Sequence, residues 1–396
     1  VGEPPAFERD PYLRELATRV VEFGEDGGGP WAVLADTVCF PAGGGQPCDH
    51  GRLGDTAIVD VQNAGGAIRH YLAGPVPAGG VVVRLDWARR YDHMQQHTGQ
   101  HLLTAVAQDR FGWPTTAFHL GAETCDIELD VPGLDAARLD RLEEEANAEI
   151  RAARPVTARR VTQTEYAAAT VRTRGLPAGH TGDVRLVEIS GLDCNTCGGT
   201  HVRSTAEIGC LKVLGSEPMR GGTRVFFAAG GRVLRRLAAH ERRGAMLRAL
   251  LGAPDGELAA VAEAKLAELR RTEKALRAAE GELAEALAAA LAAAAEAVVE
   301  AHWPGRELPF LQQVGRALAA AAPAKTALLT ADGDSGACFV VAAGAAAGVD
   351  VLALGREVAA ALGGRGGGSG RLAQGRAPSL AGRAEALRRL RAAAGG

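Results

Sequence analysis

Apolar and polar positions along this chain change their spacing from segment to segment, and the changes predict its organisation. From residue 1 to about 88 the apolar residues fall in short valine-bearing runs. Ala32 to Phe40, Thr56 to Gln62 and Gly80 to Leu85 read as strands between Gly, Pro and Asp turns, so the segment is mainly β. Residues 89–230 read as α+β. Asp92 to Arg110 predicts a helix that turns Leu102, Leu103, Val106 and Phe111 toward a core. Asp135 to Ala153 predicts a Glu-rich second helix, and Val184 to Ser190, Ile208 to Gly215 and Thr223 to Ala229 predict strands. Residues 231–302 read as a helical connector. A basic helix, Arg232 to Leu251, is broken by Gly252-Ala-Pro-Asp-Gly256. Glu257 to about Ala301 then forms an alanine-rich helix about 65 Å long. Leu269, Leu276 and Leu283 sit seven apart on it, a seam that suits a hairpin within the chain or a homodimer equally well. Residues 303–396 read as a small α/β domain, with strand runs at Thr326 to Leu329, Ala337 to Ala342 and Val349 to Ala353. A glycine-rich segment, 363–375, and a tail helix, Ala381 to Ala394, close it.

Composition narrows the classes. At 396 residues several domains are expected, and a 47% hydrophobic share is ample for their cores. A net charge of -3 leaves no global basic field, so nucleic-acid binding would need local patches. The seven cysteines are odd in number and scattered, which argues against a disulfide framework and for a reducing compartment. Ala284 to Val299 is apolar but is mostly alanine broken by glutamates, so no membrane span is expected. The N-terminus has neither the basic nor the apolar region of a signal peptide, and a soluble cytoplasmic protein is expected. Because the first residue is not Met, a few residues are expected ahead of Val1.

The chemistry sits in two short motifs, His97-Thr-Gly-Gln-His101 and Cys197-Gly-Gly-Thr-His201. Each places two good zinc ligands four positions apart, on one face of a helical turn. Either alone is weak. Together they supply the mixed nitrogen and sulfur set that suits tetrahedral zinc. Two alternatives stay open at this level. His93 extends the stripe, so the helix pair could be His93 and His97. Cys194-Asn-Thr-Cys197 could be a redox pair or half of a zinc ribbon, although no second such pair exists. Gly43-Gly-Gly45 marks a tight turn, a close approach or a plain loop. The C-terminal glycines are flanked by arginines, with seven arginines against Glu385 alone from Arg365 onward. That suits a flexible phosphate-contact loop or simply a soluble tail.

His93 to Leu103, Cys194 to Gly209, Arg220 to Gly230 and the Gly43-Gly-Gly-Gln-Pro-Cys-Asp-His-Gly51 loop together resemble the alanyl-tRNA editing proteins, free-standing relatives of the editing domain of alanyl-tRNA synthetase. The final glycine segment with Leu372-Ala-Gln-Gly375 resembles the C-terminal domain of the family's longer (AlaX long-form) members, though Ser-Gly-Arg stands where they often have Arg-Pro-Asp. The resemblance implies an α+β fold: a β-barrel-like N-terminal domain (1–88), a zinc-binding editing domain (89–230), a helical connector (231–302) and a C-terminal α/β domain (303–396). It implies a Zn2+ cofactor held by His97, His101, Cys197 and His201, with His93 structural and Cys194 a small buried thiol. It implies hydrolysis of the ester between serine, or glycine, and tRNA for alanine. Four protein ligands would close the shell, so one is expected to be displaceable, with His201 favoured. Serine exceeds alanine by one hydroxyl, which a hydrogen-bonding group reads better than an apolar pocket does. The family uses a threonine for this. Thr115 matches best, Thr116 stands next to it, and Thr98 and Gln100 face either the pocket or the helix exterior. Gly43, Gly44, Gly45 and Gln46 are implied near the site, and Arg365, Arg371 and Arg376 in tRNA contact. The segment ahead of the metal motifs is too short for an adenylate-forming core, so editing would act in trans, with a homodimer through the connector or C-terminal domain. Rival readings are a zinc-stabilised tRNA-binding protein without catalysis, an editing enzyme for another mischarged tRNA, and a phosphoesterase. The last lacks the Asp-His-His motif it would need.

Overall fold

A computed structural model describes residues 3–77, 79–172, 175–176 and 182–394. The chain divides into two compact units, Val1–Met246 and Leu247–Gly396, in a mixed α+β architecture.

The first unit begins with a one-turn helix, α1 (Ala6–Arg9), and six strands: β1 (Glu15–Asp26), β2 (Gly29–Leu34), β3 (Gly51–Leu53), β4 (Thr56–Ala64), β5 (Ala67–Leu72) and β6 (Gly80–Leu85). They close into a barrel in the order β1-β2-β5-β4-β3-β6, with β6 pairing back onto β1. Closure leaves no unpaired edge, and Ala32, Leu53, Ile58, Val61 and Val83 fill the interior. Strands β1, β3 and β5 escaped the sequence reading. β1 carries charges between its apolar residues and leaves Phe23 71% exposed, so no apolar run announces it. The run expected from Ala32 to Phe40 is a strand only to Leu34.

Helix α2 (Trp87–Phe111) is the axis of the rest of this unit. Asp86 caps it by accepting from the Arg89 backbone N–H, and Gly112 ends it in the left-handed conformation. Every residue from His93 through Ala107 is buried. A helix covered all round lies inside its domain, so its polar residues must find partners there. It is enclosed by β7 (Thr115–Leu120), β8 (Cys125–Leu129), α3 (Ala136–Arg151), β9 (Val156–Val161), the short α4 (Gln163–Ala168), β10 (Val184–Ile189), β11 (Asp193–Thr196), β12 (Leu211–Met219) and β13 (Gly222–Ala229). These strands form two antiparallel sheets, β11-β10-β9 and β12-β13-β8-β7. Met94, Leu102, Leu103 and Val106 of α2 share a core with Ile127, Leu142, Val187 and Phe227. Helix α5 (Gly231–Leu251) follows.

The second unit holds α6 (Leu258–Ala293), β14 (Val298–Pro304), α7 (Leu308–Ala321), β15 (Thr326–Gly333), β16 (Gly336–Ala343), α8 (Val351–Ala361), β17 (Arg365–Ser369), β18 (Leu372–Ala377) and α9 (Arg383–Ala394). Its sheet runs β14-β15-β16-β18-β17, with β14 and β15 parallel and the other pairs antiparallel. One face packs on α7 and the end of α6, the other on α8 and α9. Three sequence expectations change. The long helix stops at Ala293 rather than near Ala301, because Val298 to Pro304 is taken up as a strand beside β15. Val349 to Ala353 begins a helix instead of a strand, since Asp350 caps α8 by accepting from the Leu352 and Ala353 backbone N–H groups. The glycine segment is the β17–β18 hairpin, not a loose loop. Leu269 and Leu276 on α6 stay exposed. No helix among the described residues is long and apolar enough to cross a membrane.

Candidate metal centre

The two motifs meet. His97 and His101 come from the middle of α2, while Cys197 and His201 come from the turn after β11. One ligand atom from each of the four lies within 4.8 Å of the others. The Cys197 Sγ is 3.4 Å from His97 Nε2 and 3.3 Å from His201 Nε2. A tetrahedral ion with nitrogen at about 2.0 Å and thiolate at about 2.3 Å sets nitrogen–sulfur edges of about 3.5 Å, so the donor set fits zinc. The close approach needs Gly199, where a Cβ would lie 2.3 Å from the His97 ring. Arg185 of β10 fixes the turn by donating to the carbonyls of Cys197 (2.7 Å) and Gly199 (2.9 Å).

Each imidazole is held from behind through Nδ1, leaving Nε2 for a cation. His97 Nδ1 bonds Gln46 Oε1 at 2.8 Å, which also accepts from the Thr200 N–H at 3.0 Å. The Gln46 amide donates to Thr200 Oγ1 at 2.9 Å. His101 Nδ1 bonds Asp193 at 3.2 Å, and Asp193 is itself held by Arg172 at 2.9 Å. His201 Nδ1 bonds Thr98 Oγ1 at 3.1 Å. Such outer partners set the ring orientation and tautomer of metal-binding histidines. Burial opposes charge on Cys197, yet His97 and His201 overcome it and hold the thiol well below its ordinary value. Burial also lowers His101, but Asp193 and Cys197 more than offset it and raise that ring to about 10. His201 is driven by burial down to about 3 against the pull of Cys197. A cation takes these groups as thiolate and neutral imidazoles, so binding here would release protons.

Gln46 arrives from the barrel. Phe40 N–H donates to Asp49 Oδ2 at 2.6 Å, closing the glycine loop on itself. Arg90, on α2 two turns before His97, binds both Asp49 oxygens and the carbonyls of Val38 and Pro11. Both members of this ion pair are fully buried. The barrel loop is therefore clamped to the helix that carries the histidines.

A cavity of about 560 Å³ opens beside the cluster, lined by Gly44, Gly45, His97, Gln100, His101, Thr104, Thr115 and Cys197 among others. Thr115 faces it and donates to Thr104 Oγ1 at 3.3 Å. Thr116 is exposed and bonds the Glu128 carbonyl. Thr98 is buried behind His201 and does not line the cavity. His201 does not line it either, so its expected role as the displaceable ligand has no support in this geometry. His93 is buried one turn before His97, outside the cluster, and burial lowers its pKa to about 4. Cys194 is half-buried rather than buried. Asp193, Arg172, Arg185 and Thr200 were missed from sequence. Outer partners are chosen by tertiary position, and only the acid preceding Cys194 offered a signal.

Residues 184–226, which hold the cysteine motif, match the family described as the threonyl and alanyl tRNA synthetase second additional domain. The chain is 42% identical over 242 residues to the alanyl-tRNA editing protein Aarsd1-B of Xenopus laevis, covering 58% of this chain and 59% of that protein. It is 34% identical over 216 residues to the alanyl-tRNA editing protein AlaX-L of Pyrococcus horikoshii, covering 52% and 53%. Over these spans the chain is similar to alanyl-tRNA editing proteins. It spans 59% of the length of the Xenopus relative and 53% of the Pyrococcus one. The C-Ala domain of Aquifex aeolicus alanyl-tRNA synthetase aligns at 22% identity with a TM-score of 0.24, over 25% of this chain and 91% of that domain.

The second unit has its own cavity, of about 740 Å³, beside the glycine hairpin. Arg365, Arg371 and Arg376 all line it, joined by Arg316 and Gln312 of α7 and Gln374 of β18. Arg376 is tied to the Ser335 carbonyl at 2.6 Å. Four guanidinium groups and a strip of side-chain-free backbone make this wall suited to anionic, phosphate-bearing ligands.

Proposed function

We propose that this protein is a trans-editing deacylase of the cytoplasm. It hydrolyses the ester joining serine, or glycine, to tRNA for alanine, at a zinc-containing site in the first unit. One observation carries the reading: His97, His101, Cys197 and His201 converge, with each imidazole oriented from behind, and the first three of them line a cavity sized for a small ligand.

His97, His101, Cys197 and His201 would hold the ion. Bound there, zinc would supply charge to position the aminoacyl end or to lower the pKa of a water. The remaining work falls to the chain's own groups. Gln46, Asp193 and Thr98 keep Nε2 of the three rings inward. Arg185 holds the cysteine turn rigid through its two carbonyl bonds. Thr104 and Thr115 give one wall of the cavity fixed hydroxyls, while Phe118 and Pro114 make part of the lining apolar. An aminoacyl ester is already labile, so a positioned end and an ordered site need supply only a modest lowering of the barrier.

The arginine-lined cavity of the second unit supports a grip on the tRNA backbone, by phosphate and shape rather than base identity. Pairing of two copies through α6, where Leu269 and Leu276 stay exposed, fits the same reading. A deacylation panel tests it, using seryl-, glycyl- and alanyl-tRNA for alanine together with seryl-tRNA for threonine. Preferential release of serine from the alanine tRNA supports the proposal. Preference for the threonine tRNA moves the activity to the other system. Binding without release in any case leaves a zinc-stabilised tRNA-binding protein.

A further inference from the structure

Gln100 lies between the two α2 histidines and is 4% exposed, yet it lines the cavity beside the cluster. Its amide N–H donates to Thr104 Oγ1, one helical turn on, at 3.0 Å. Thr115, across the cavity wall on β7, donates to the same oxygen at 3.3 Å. Thr104 thus receives two donors, which turns the Gln100 amide so that its Oε1 is left over. That oxygen is buried and has no hydrogen-bond partner among the described residues. Buried polar atoms are almost always paired, so an orphan acceptor in a cavity wall marks where a ligand donor belongs.

We propose that Gln100 is the specificity-determining residue for the acyl side chain, its Oε1 accepting a hydrogen bond from the hydroxyl of a seryl ester, with Thr104 and Thr115 as the rail that holds the amide. The inference rests on the deacylase reading above and adds to it a named acceptor. Gln100 and Thr104 stand at i and i+4 of a helix buried all round, and Thr115 ties Thr104 to β7, so the amide cannot swing away. A seryl hydroxyl completes the acceptor. Alanyl and glycyl esters bring only a methyl or a hydrogen and leave Gln100 unpaired or wet. A site built to receive a hydroxyl penalises ligands that lack one, because its own polar group then goes unsatisfied.

The α-ammonium of the substrate is the competing donor, and it is common to all three esters. Steady-state deacylation of seryl-, glycyl- and alanyl-tRNA for alanine therefore separates the two, using the zinc-loaded full chain, Gln100→Met, Thr104→Val and Thr104→Ser. The expected result is that Gln100→Met lowers kcat/KM for the seryl ester roughly ten- to a hundredfold more than for the other two. Thr104→Val should do the same more weakly, and Thr104→Ser should restore the preference. Calorimetry with 3′-amide-linked seryl- and alanyl-adenosine should show the affinity ratio between these uncleavable analogues collapsing in Gln100→Met, with zinc content unchanged. An equal loss on all three esters, or an unchanged affinity ratio, overturns the assignment. Wild-type protein that binds zinc and tRNA but cleaves none of the esters overturns the deacylase reading itself. An analogue preference that survives there and collapses in Gln100→Met would keep Gln100 as the hydroxyl reader.

Discussion

The chain contains the tripeptide Gly-Gly-Gly three times, and the two copies that border candidate functional residues, Gly43 to Gly45 and Gly366 to Gly368, behave differently. In Gly43 to Gly45 the backbone reverses. Gly44 and Gly45 have φ of 57° and 83°, and Gly43 and Gln46 exchange both backbone hydrogen bonds at 3.1 and 3.0 Å. That is a tight two-residue turn needing left-handed backbone at both central positions, and it delivers Gln46 to His97. In Gly366 to Gly368 the backbone runs straight as part of β17. There the glycines serve close approach, since a Cβ at Gly366 or Gly368 would lie 2.4 or 2.2 Å from a carbonyl oxygen of β18. The first segment exists to place one side chain. The second removes side chains and leaves backbone between arginines. Glycine count alone distinguishes neither role; the residues that follow, Gln-Pro in one case and Ser-Gly-Arg in the other, do.

The contrast breaks most completely at the metal. Cys197→Ala should abolish zinc uptake and deacylation together, measured by elemental analysis and ester hydrolysis, while tRNA binding through the second unit persists. Retained stoichiometric zinc with full activity would remove Cys197 from the ligand set. The next largest effect tests how the turn is anchored. Arg90→Met leaves Asp49 buried without its partner and should cost about 3–5 kcal/mol of stability in the first unit. Amide exchange should show the loss in the barrel and α2 and leave β15 and β16 protected as before. Equal deprotection of both units would mean that the clamp is not local. Smaller again is the turn's own contribution. Gln46→Ala removes the acceptor from His97 Nδ1 and should weaken zinc binding about ten- to a hundredfold, read by chelator competition. An unchanged affinity would leave the glycine turn as a lid over the cavity and no more.

Much of this was readable in the sequence because ligand chemistry is carried by residue type and local spacing. His97 with His101, and Cys197 with His201, are visible as pairs, and their convergence needed only the resemblance of the flanks. The helix through them was legible too, down to the Asp135 start of the next one. The support was not legible. Asp193 reaches His101 across 92 residues of chain and Arg172 reaches Asp193 across 21, where no periodicity reports contact, while Gln46, 51 residues from His97, was expected near the site only through the resemblance. β1 was hidden because a barrel strand with a solvated outer face needs no apolar run. Val349 to Ala353 misled because a buried helix and a buried strand share the same short apolar composition, and the deciding residue was the cap, Asp350. Gln100 and Thr104 were visible as an i, i+4 pair, but only their burial shows that the pair faces a cavity.

The smallest expected effect concerns the second glycine segment, and it tests whether backbone and arginine together amount to a grip. Arg376 already bonds the Ser335 carbonyl, so the informative pair is Arg316 on α7 and Arg371 at the hairpin turn, both exposed on the 740 Å³ cavity. Replacing both by Ala should raise the KM for seryl-tRNA about tenfold near physiological salt and leave kcat within about twofold, because neither lies in the unit that holds the cluster. Each lost phosphate contact should also flatten the dependence of log affinity on log salt by about 0.7–0.9. A minihelix short enough to reach only the first unit should show no change in KM. A fall in kcat instead would mean that this unit acts on the chemistry rather than on capture. An unaltered KM and salt slope would leave the hairpin's missing side chains as a matter of strand packing alone, which the 2.2 Å approach at Gly368 would by itself require.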